Sequence, residues 1–351
     1  MNLNRMAVVG EDESGQIKLV VKKKYSSRRI DKYLVSRLQD FSRSNIQRLI
    51  KEEAVKVNSV SVKNSYEIKQ NDIISIDLPT ENSDHITPED IPLDIIFEDE
   101  YLMVLNKSTD TVVHPSRGHS SGTLVNALAF HCNNLSSFNG PLRPGIVHRL
   151  DRDTSGAILV VKDEKVHKHL ALQFENREVK KEYLAVVKGE TELDSDRIDL
   201  PIGKDKRDRK KMAIRHDNGK NAVTIFEARE RYPGFTLVKV FLETGRTHQI
   251  RVHMKTIGHP VVADAEYGNS EACYFEDLMK PFLNKDVHNL AKNTELCNNV
   301  TEPIIMRQAL HAYKIGFIHP VTNEALEFTA DIPEDMRNLI TTLRKIKTLL
   351  N

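Results

Sequence analysis

The stretch that most constrains this chain is Pro144-Gly145-Ile146-Val147-His148-Arg149-Leu150-Asp151-Arg152-Asp153-Thr154-Ser155-Gly156, followed by the apolar run Ala157-Ile158-Leu159-Val160-Val161. The short apolar run reads as a buried strand, and the Pro-Gly pair and Gly156 bracket a polar loop at its mouth. A carboxylate placed there, with arginines on either side, is costly unless it is paired. Asp151 is therefore expected to stay ionised, a state that suits a nucleophile, a general base or a metal ligand. The same residues also suit a structural Arg–Asp network that ties the loop down. The loop by itself leaves that choice open.

The full string resembles the active-site motif of the RluA/RluD family of RNA pseudouridine synthases, in which His-Arg-Leu-Asp precedes a Thr-Ser-Gly turn. The match runs unbroken from Gly145 to Asp163. The resemblance implies that Asp151 is the catalytic aspartate, with His148 and Arg149 beside it in the active site. Other strings follow in the family's order. Tyr101 to Leu105, Lys107 and His114-Pro115 look like its first motif, although Ser108 stands where the family has proline. Lys181-Glu182-Tyr183 matches the position where a family tyrosine packs against the target base. A phenol there offers stacking and a hydroxyl in one side chain. Read without the family, Tyr183 is a core residue of a strand.

Gly245-Arg246-Thr247-His248-Gln249-Ile250-Arg251-Val252-His253 is the second dense constellation. A metal site is the first reading to weigh. On a helix His248 and His253 would stand about 140° apart, whereas paired zinc ligands at i and i+4 share one face. No glutamate occupies the position a metalloprotease needs, so no metal is expected. The string resembles the family's third motif, where an arginine neutralises the catalytic aspartate. Arg251 is the first choice for that partner and Arg246 the second, because a guanidinium fork can satisfy both carboxylate oxygens. Gly258-His259-Pro260 and Tyr267-Gly268 continue the motif, with a departure at Ala263-Asp264-Ala265-Glu266. Residues 308–312 and 317–320 resemble the family's last motif, with Leu310 and Phe317 expected in the core. Residues 269–306 are polar, weakly periodic and expected to form a surface insertion of no assigned role.

In the N-terminal part, Ile17 to Val21 alternates as a short strand. Ile30, Leu34 and Leu38 recur at four-residue spacing as one helix, and a second starts at Ser44, with Gln47 at capping-box spacing. Val55, Val57, Val60 and Val62 flank an Asn58-Ser59 turn, and Ile74, Ile76 and Leu78 close the cluster. This pattern resembles the S4 RNA-binding domain over about residues 28–79. Arg28, Arg29, Arg43, Arg48 and Lys51 are the residues expected to face phosphate, contacts that supply affinity and salt dependence but little sequence information. The basic loop 203–221 shows no apolar period, and Lys210 and Lys211 in it are expected to meet RNA as well.

Charge is segregated although the net value is only +1. Residues 17–70 hold fourteen Lys/Arg against five Asp/Glu, and residues 200–260 hold fourteen against six. Two basic patches beside a polar loop suit a polyanion bound at two places. Between them, residues 81–100 carry eight acidic side chains and no Lys or Arg. The acidic stretch has prolines at 79, 88 and 92, and reads as an extended, unpaired boundary between domains. The three cysteines, Cys132, Cys273 and Cys297, are too scattered for a disulfide framework or a structural zinc site. With no long apolar span and no secretory h-region, the expected location is the cytoplasm.

The expected organisation is a flexible tail 1–16, an S4-like domain 17–80, an acidic linker 81–94 and a catalytic domain 95–351. The expected fold class is α+β: a mixed, mostly antiparallel sheet with flanking helices, the pseudouridine synthase fold, preceded by a small α/β domain. Strand-rich patterning without regular strand–helix alternation agrees with that class. The resemblance implies isomerisation of a flipped uridine in structured RNA, large-subunit (23S) ribosomal RNA first and tRNA second, by a monomer. It implies no cofactor, because bond energy is conserved between substrate and product. Two other classes stay open: an RNA-binding assembly factor that has lost the chemistry, and a metal-dependent enzyme using Asp151 and Asp153 as a pair.

Overall fold

The computed structural model describes residues 16–350, apart from 39–40, 42, 78–85, 115–120, 133, 141–142, 209 and 281–301. The expected tail, the start of the acidic linker and most of the 269–306 segment lie outside the described residues.

The N-terminal unit has strands β1 (Gln16–Val20), β2 (Val55–Val57), β3 (Val60–Ser61) and β4 (Ile73–Asp77), and helices α1 (Ile30–Val35) and α2 (Arg43–Lys51). The strands form a sheet in the order β1-β4-β2-β3. Asn58 and Ser59 both take positive φ, at 51° and 69°, the left-handed pair that a tight hairpin turn requires. Ile30, Leu34, Ile46 and Leu49 of the helices meet Val55, Ile74 and Ile76 of the sheet in one buried cluster. The helices are also joined by charge. Asp31, with no exposed surface, accepts hydrogen bonds from Arg29 (3.0 and 3.1 Å), Arg43 (2.9 and 3.2 Å) and Gln47 (2.7 Å). Burial works to raise the Asp31 pKa, but these donors outweigh it and hold the carboxyl well below its ordinary value.

The second unit is built on a nine-stranded sheet. Its strands are β5 (Ile95–Glu98), β6 (Leu102–Lys107), β7 (Ser155–Val161), β8 (Lys180–Lys188), β9 (Ser195–Asp199), β12 (Val223–Tyr232), β13 (Phe235–Leu242), β14 (Leu310–Ile318) and β15 (Ala325–Thr329). They run in the order β5-β6-β7-β14-β8-β13-β12-β9, with β15 beside β14. The β7–β14 pair is parallel and the other pairings are antiparallel, which is the mixed sheet expected from the sequence. Helices α3 (Leu124–His131), α4 (Glu164–Glu175), α5 (Gln249–Thr256), α6 (Phe275–Met279) and α7 (Glu334–Leu350) accompany the sheet. Every residue of β7 is buried, so its unbroken apolar run follows from its central place.

Three expectations change. Residues 86–94 are not unpaired: Glu89 N–H donates to the Asn126 carbonyl at 3.0 Å, Asn106 N–H donates to the Asp94 carbonyl at 2.8 Å, and Ile86 and Leu93 pack on the main core. The basic loop 203–221 contains a hairpin of two short strands, β10 (Ile202–Lys204) and β11 (Met212–Ile214). Strands this short carry too few apolar positions to show a period. Phe275, Leu278 and Met279 of the supposed surface insertion are buried in the main core.

Two tests follow. Gly156 has φ +115°, and a Cβ added there would stand 2.2 Å from the Ala312 carbonyl oxygen, backbone against backbone. Gly156→Ala should therefore cost about 4 kcal/mol or more, read as a fall in the thermal midpoint. The Asp31 carboxyl titrates lower folded than unfolded, so its stabilisation is present above about pH 4 and is lost as pH falls further. Asp31→Asn should cost about 3 kcal/mol in urea denaturation at pH 7, with a smaller penalty at pH 3.

Candidate active site

The loop between Gly145 and Ser155 is fastened on every side. Gly145 N–H donates to the Ser136 carbonyl at 2.6 Å, and Val161 N–H donates to the Gly145 carbonyl at 2.9 Å. His148 Nε2 accepts the Leu159 N–H at 2.8 Å, and its ring stacks on Phe174 with centroids 4.8 Å apart. Burial, with Lys181 nearby, pushes the His148 pKa down to about 3, so the imidazole is neutral and serves as a prop. Lys107 Nζ donates to the carbonyls of Ser108 (2.7 Å), Thr111 (2.9 Å) and Arg152 (2.7 Å). Burial lowers the Lys107 pKa to about 7, against the pull of the Asp153 charge. Three carbonyl acceptors call for three N–H donors, which only the ammonium form has. Arg307 completes the frame: Nη1 donates to the Asp153 carbonyl at 3.1 Å while Nε and Nη2 hold Asp335 on α7 at 2.7 and 2.9 Å.

This frame presents Asp151 to a cleft of about 530 Å³. Val147, Leu150, Phe174, Tyr183, Ile250 and Leu310 supply apolar wall, and Arg149, Arg177, Lys181 and Arg246 supply positive charge. A half-apolar slot with a cationic rim suits a flat base attached to a phosphodiester chain. Tyr183 comes from β8, between β14 and β13. Burial, and then the Asp151 charge, raise the Tyr183 pKa, so the phenol stays protonated.

Arg251, on α5, is the arginine that reaches Asp151, with Nη1 3.3 Å from Oδ2. Its fork points elsewhere. Nε and Nη2 bind the two oxygens of the fully buried Asp264 at 2.6 and 2.9 Å, and Nη2 also reaches Glu266 Oε2 at 3.0 Å. The expected two-oxygen clamp on Asp151 is thus a clamp on Asp264, leaving one nitrogen for Asp151. Burial opposes the Arg251 charge, but Asp264, Asp151 and Glu266 outweigh it and raise its pKa. Arg246, the second choice, donates to the Asn221 carbonyl at 3.0 Å and stands where the cleft meets a basic neighbour lined by Lys204, Lys206, Arg215 and Lys220. Arg149 is exposed on the cleft wall.

The two histidines of the constellation separate. His248 precedes α5 with left-handed backbone (φ 54°, ψ 23°) and lines the cleft, with Nε2 3.8 Å from Asp151 Oδ1. His253 is buried behind it, between the Thr224 hydroxyl (2.9 Å) and the Leu200 carbonyl (3.0 Å). Asp151 and Asp153 also diverge, since Asp153 is paired with Arg152 at 2.8 and 3.0 Å. Among the described residues, the one group with metal-ligand spacing is Glu98, His131 and Cys132, none of which lines the cleft.

The proposed phosphate ligands divide. Arg29 and Arg43 are occupied by Asp31, and Lys211 Nζ donates to the Glu266 carbonyl at 3.0 Å, so these three have internal work. Arg28 lies over the Tyr25 ring at 5.0 Å, and Arg48 lies 3.5 Å from Glu52. Lys51 and Lys210 are exposed. Sequence reasoning missed the roles of Asp264, Glu266, His248, Tyr267 and Arg307. Asp264 and Glu266 showed only as a departure from the family pattern, and Arg307 gave no signal.

A carboxylate beside a buried arginine and a phenol, in a cleft with a cationic rim on a mixed sheet, suits an enzyme acting on a polyanion. The comparisons with known proteins make that specific. The RNA pseudouridylate synthase family profile matches residues 101–256, and that of the S4 domain matches residues 28–74. The chain is 43% identical to the RNA pseudouridine synthase YlyB of Bacillus subtilis (strain 168), over 94% of this chain and 99% of that protein. It is 38% identical to the ribosomal large subunit pseudouridine synthase D of Zymomonas mobilis, over 89% of this chain and 92% of that one. The fold is shared with human RNA pseudouridylate synthase domain containing 4, at TM-score 0.51 and 21% identity, over 72% of this chain and 93% of that one. This chain belongs to the RNA pseudouridine synthase family, with an S4 domain in front; it is an isomerase whose substrate is RNA. Among the described residues, no helix is long and apolar enough to cross a membrane.

Arg251→Met would leave Asp264 buried without its partner, and should cost 3–5 kcal/mol, approximately, in thermal unfolding. Replacing both residues, as Arg251→Met with Asp264→Asn, should recover part of that loss, because the uncompensated buried charge is gone while the amide oxygen still accepts the backbone N–H groups of Glu266 and Tyr267.

Proposed function

We propose that this chain converts uridine to pseudouridine in large-subunit (23S) ribosomal RNA, with Asp151 as the group that opens the reaction. The carrying observation is the meeting of Asp151, Arg251 and Tyr183 in one cleft, where the carboxylate is restrained by a guanidinium and faced by a protonated phenol. In the isomerisation the bond between N1 and the ribose C1′ breaks, the base turns, and C5 bonds to C1′. The proton lost from C5 balances the one gained at N1. The target base must leave its stack to reach the carboxylate, so binding includes flipping. Tyr183 offers its ring face to the flipped uracil, and Arg251 aims Asp151 through its Nη1 contact.

Ribosomal RNA as substrate is supported by the relatives named ribosomal large subunit pseudouridine synthase D, at 38% and 35% identity. A ribosomal substrate fits a reaction carried out in the cytoplasm. The S4 domain and the two basic segments fit a structured RNA gripped away from the reacting base. Action as a monomer fits the convergence of Asp151, Arg251 and Tyr183 from the same chain on one cleft. Domain limits of 17–80 for the S4 unit and 95–351 for the catalytic unit are supported by the separate buried cluster of the first unit, although Ile86 and Leu93 pack on the core of the second.

Tritium release from 5-tritiated uridine in 23S ribosomal RNA tests this reading directly. Wild-type protein should release label stoichiometric with one or a few sites, while Asp151→Asn should bind the RNA and fall by about 10⁴-fold or more in rate. Equal release by Asp151→Asn would remove the aspartate from its role. Release only from tRNA would move the substrate.

A further inference from the structure

The surroundings of His248 are more constrained than a packing residue requires. Its backbone is in the left-handed region, an uncommon conformation for a residue with a Cβ, and the neighbouring elements must hold it there. Its side chain is mostly buried, at 16% exposure, yet it lines the cleft beside Asp151. Nδ1 lies 2.9 Å from the Tyr267 hydroxyl and 3.3 Å from Glu266 Oε2. The ring meets Tyr267 edge-on with centroids 5.6 Å apart, and Arg251 lies over the Tyr267 face at 4.9 Å.

The surroundings of the two ring nitrogens favour one tautomer. The Tyr267 hydroxyl already accepts the backbone N–H of Met212 in β11 at 2.9 Å. Its own hydrogen is available to His248 Nδ1, which accepts it in the Nε2–H tautomer. Glu266 Oε2, 3.3 Å from Nδ1, is bonded to Arg251 Nη2 at 3.0 Å, while Nε2 faces a carboxylate oxygen of Asp151, which can use an N–H there. The neutral ring then carries its hydrogen on Nε2, the atom facing Asp151 Oδ1 at 3.8 Å. At 3.8 Å the contact is longer than a hydrogen bond, and contacts of this kind to a catalytic group commonly close up in the substrate complex.

We infer that His248 is a positioning residue for Asp151, held as the Nε2–H tautomer by Tyr267, so that Arg251 fixes one carboxylate oxygen and His248 the other. This rests on the proposed role of Asp151. It also ties the carboxylate to the β10–β11 hairpin, since the chain of hydrogen bonds begins at the Met212 amide. The groups facing His248 are Asp151 from the loop before β7, Arg251 from α5, and Asp264, Glu266 and Tyr267 from the turn after it.

The test compares single-turnover pseudouridine formation on 23S ribosomal RNA by wild type, Tyr267→Phe and His248→Asn between pH 5 and pH 9, with RNA affinity measured separately. Asparagine tolerates left-handed backbone, so His248→Asn keeps the local fold. Tyr267→Phe keeps the ring packing and removes only the hydroxyl. His248→Asn should lower the rate about 10²-fold and Tyr267→Phe about 10-fold, both with RNA affinity within about twofold of wild type. In Tyr267→Phe, Nδ1 is free to take a proton beside Glu266, so the acid limb of the rate profile should move to higher pH. An unchanged rate and acid limb in Tyr267→Phe would overturn the inference, whatever His248→Asn does. Inactive wild-type protein would instead overturn the reading of Asp151, and active wild type with wild-type-like variants would overturn this inference alone.

Discussion

A single guanidinium, that of Arg251, sits among three carboxylates, and much of the catalytic unit is arranged to make that tolerable. Asp264 has no exposed surface and takes two of its N–H groups; Glu266 and Asp151 share what remains. A buried ion pair contributes little net stability unless its remaining hydrogen bonds are satisfied. Here they are, because the Asp264 carboxylate also accepts the backbone N–H groups of Glu266 and Tyr267, both at 3.0 Å. The pair therefore fixes the turn after α5 as well as the arginine. Asp264 anchors, and Asp151 keeps one hydrogen bond from Arg251, at 3.3 Å, with its other oxygen facing His248 Nε2 at 3.8 Å. A carboxylate held this loosely can shift toward a sugar or a base, as the proposed chemistry requires.

The opposite wall is made rigid by different means. The loop that carries Asp151 is joined to the sheet by an imidazole acceptor, to β6 by a lysine on three carbonyls, and to α7 by Arg307. These bonds run from side chain to backbone, so they hold the loop's shape without occupying the side chains that face the cleft. Rigid support for a few projecting groups is what a site needs when its reaction depends on placement of a flipped base.

Much of this was legible from the sequence. The unbroken apolar run 157–161 announced a central strand, because a strand covered on both faces has no polar side to show. The loop before it, with Asp151 between arginines, announced a site. The S4 unit showed in its alternating valines and isoleucines and in the Asn58-Ser59 turn. The β10–β11 hairpin was hidden because three-residue strands leave no period. The docking of residues 86–94 was hidden because it rests on backbone hydrogen bonds and a few side chains. Arg29 and Arg43 read as surface cations, because nothing in the local string Arg28-Arg29-Ile30-Asp31-Lys32 shows that the acid is buried between them.

The sequence by itself determined the family, the order of the elements and the residue types gathered in the two dense strings, since these follow from local pattern and spacing. Only the tertiary structure decided which charges meet. Arg251 lies thirteen positions from Asp264 and one hundred from Asp151, yet all three converge, while Asp151 and Asp153, two positions apart, take different partners. Charge pairing depends on distances of a few ångströms and on burial that raises the cost of any unpaired group. Those quantities are set by how strands and helices pack, and no local pattern records them.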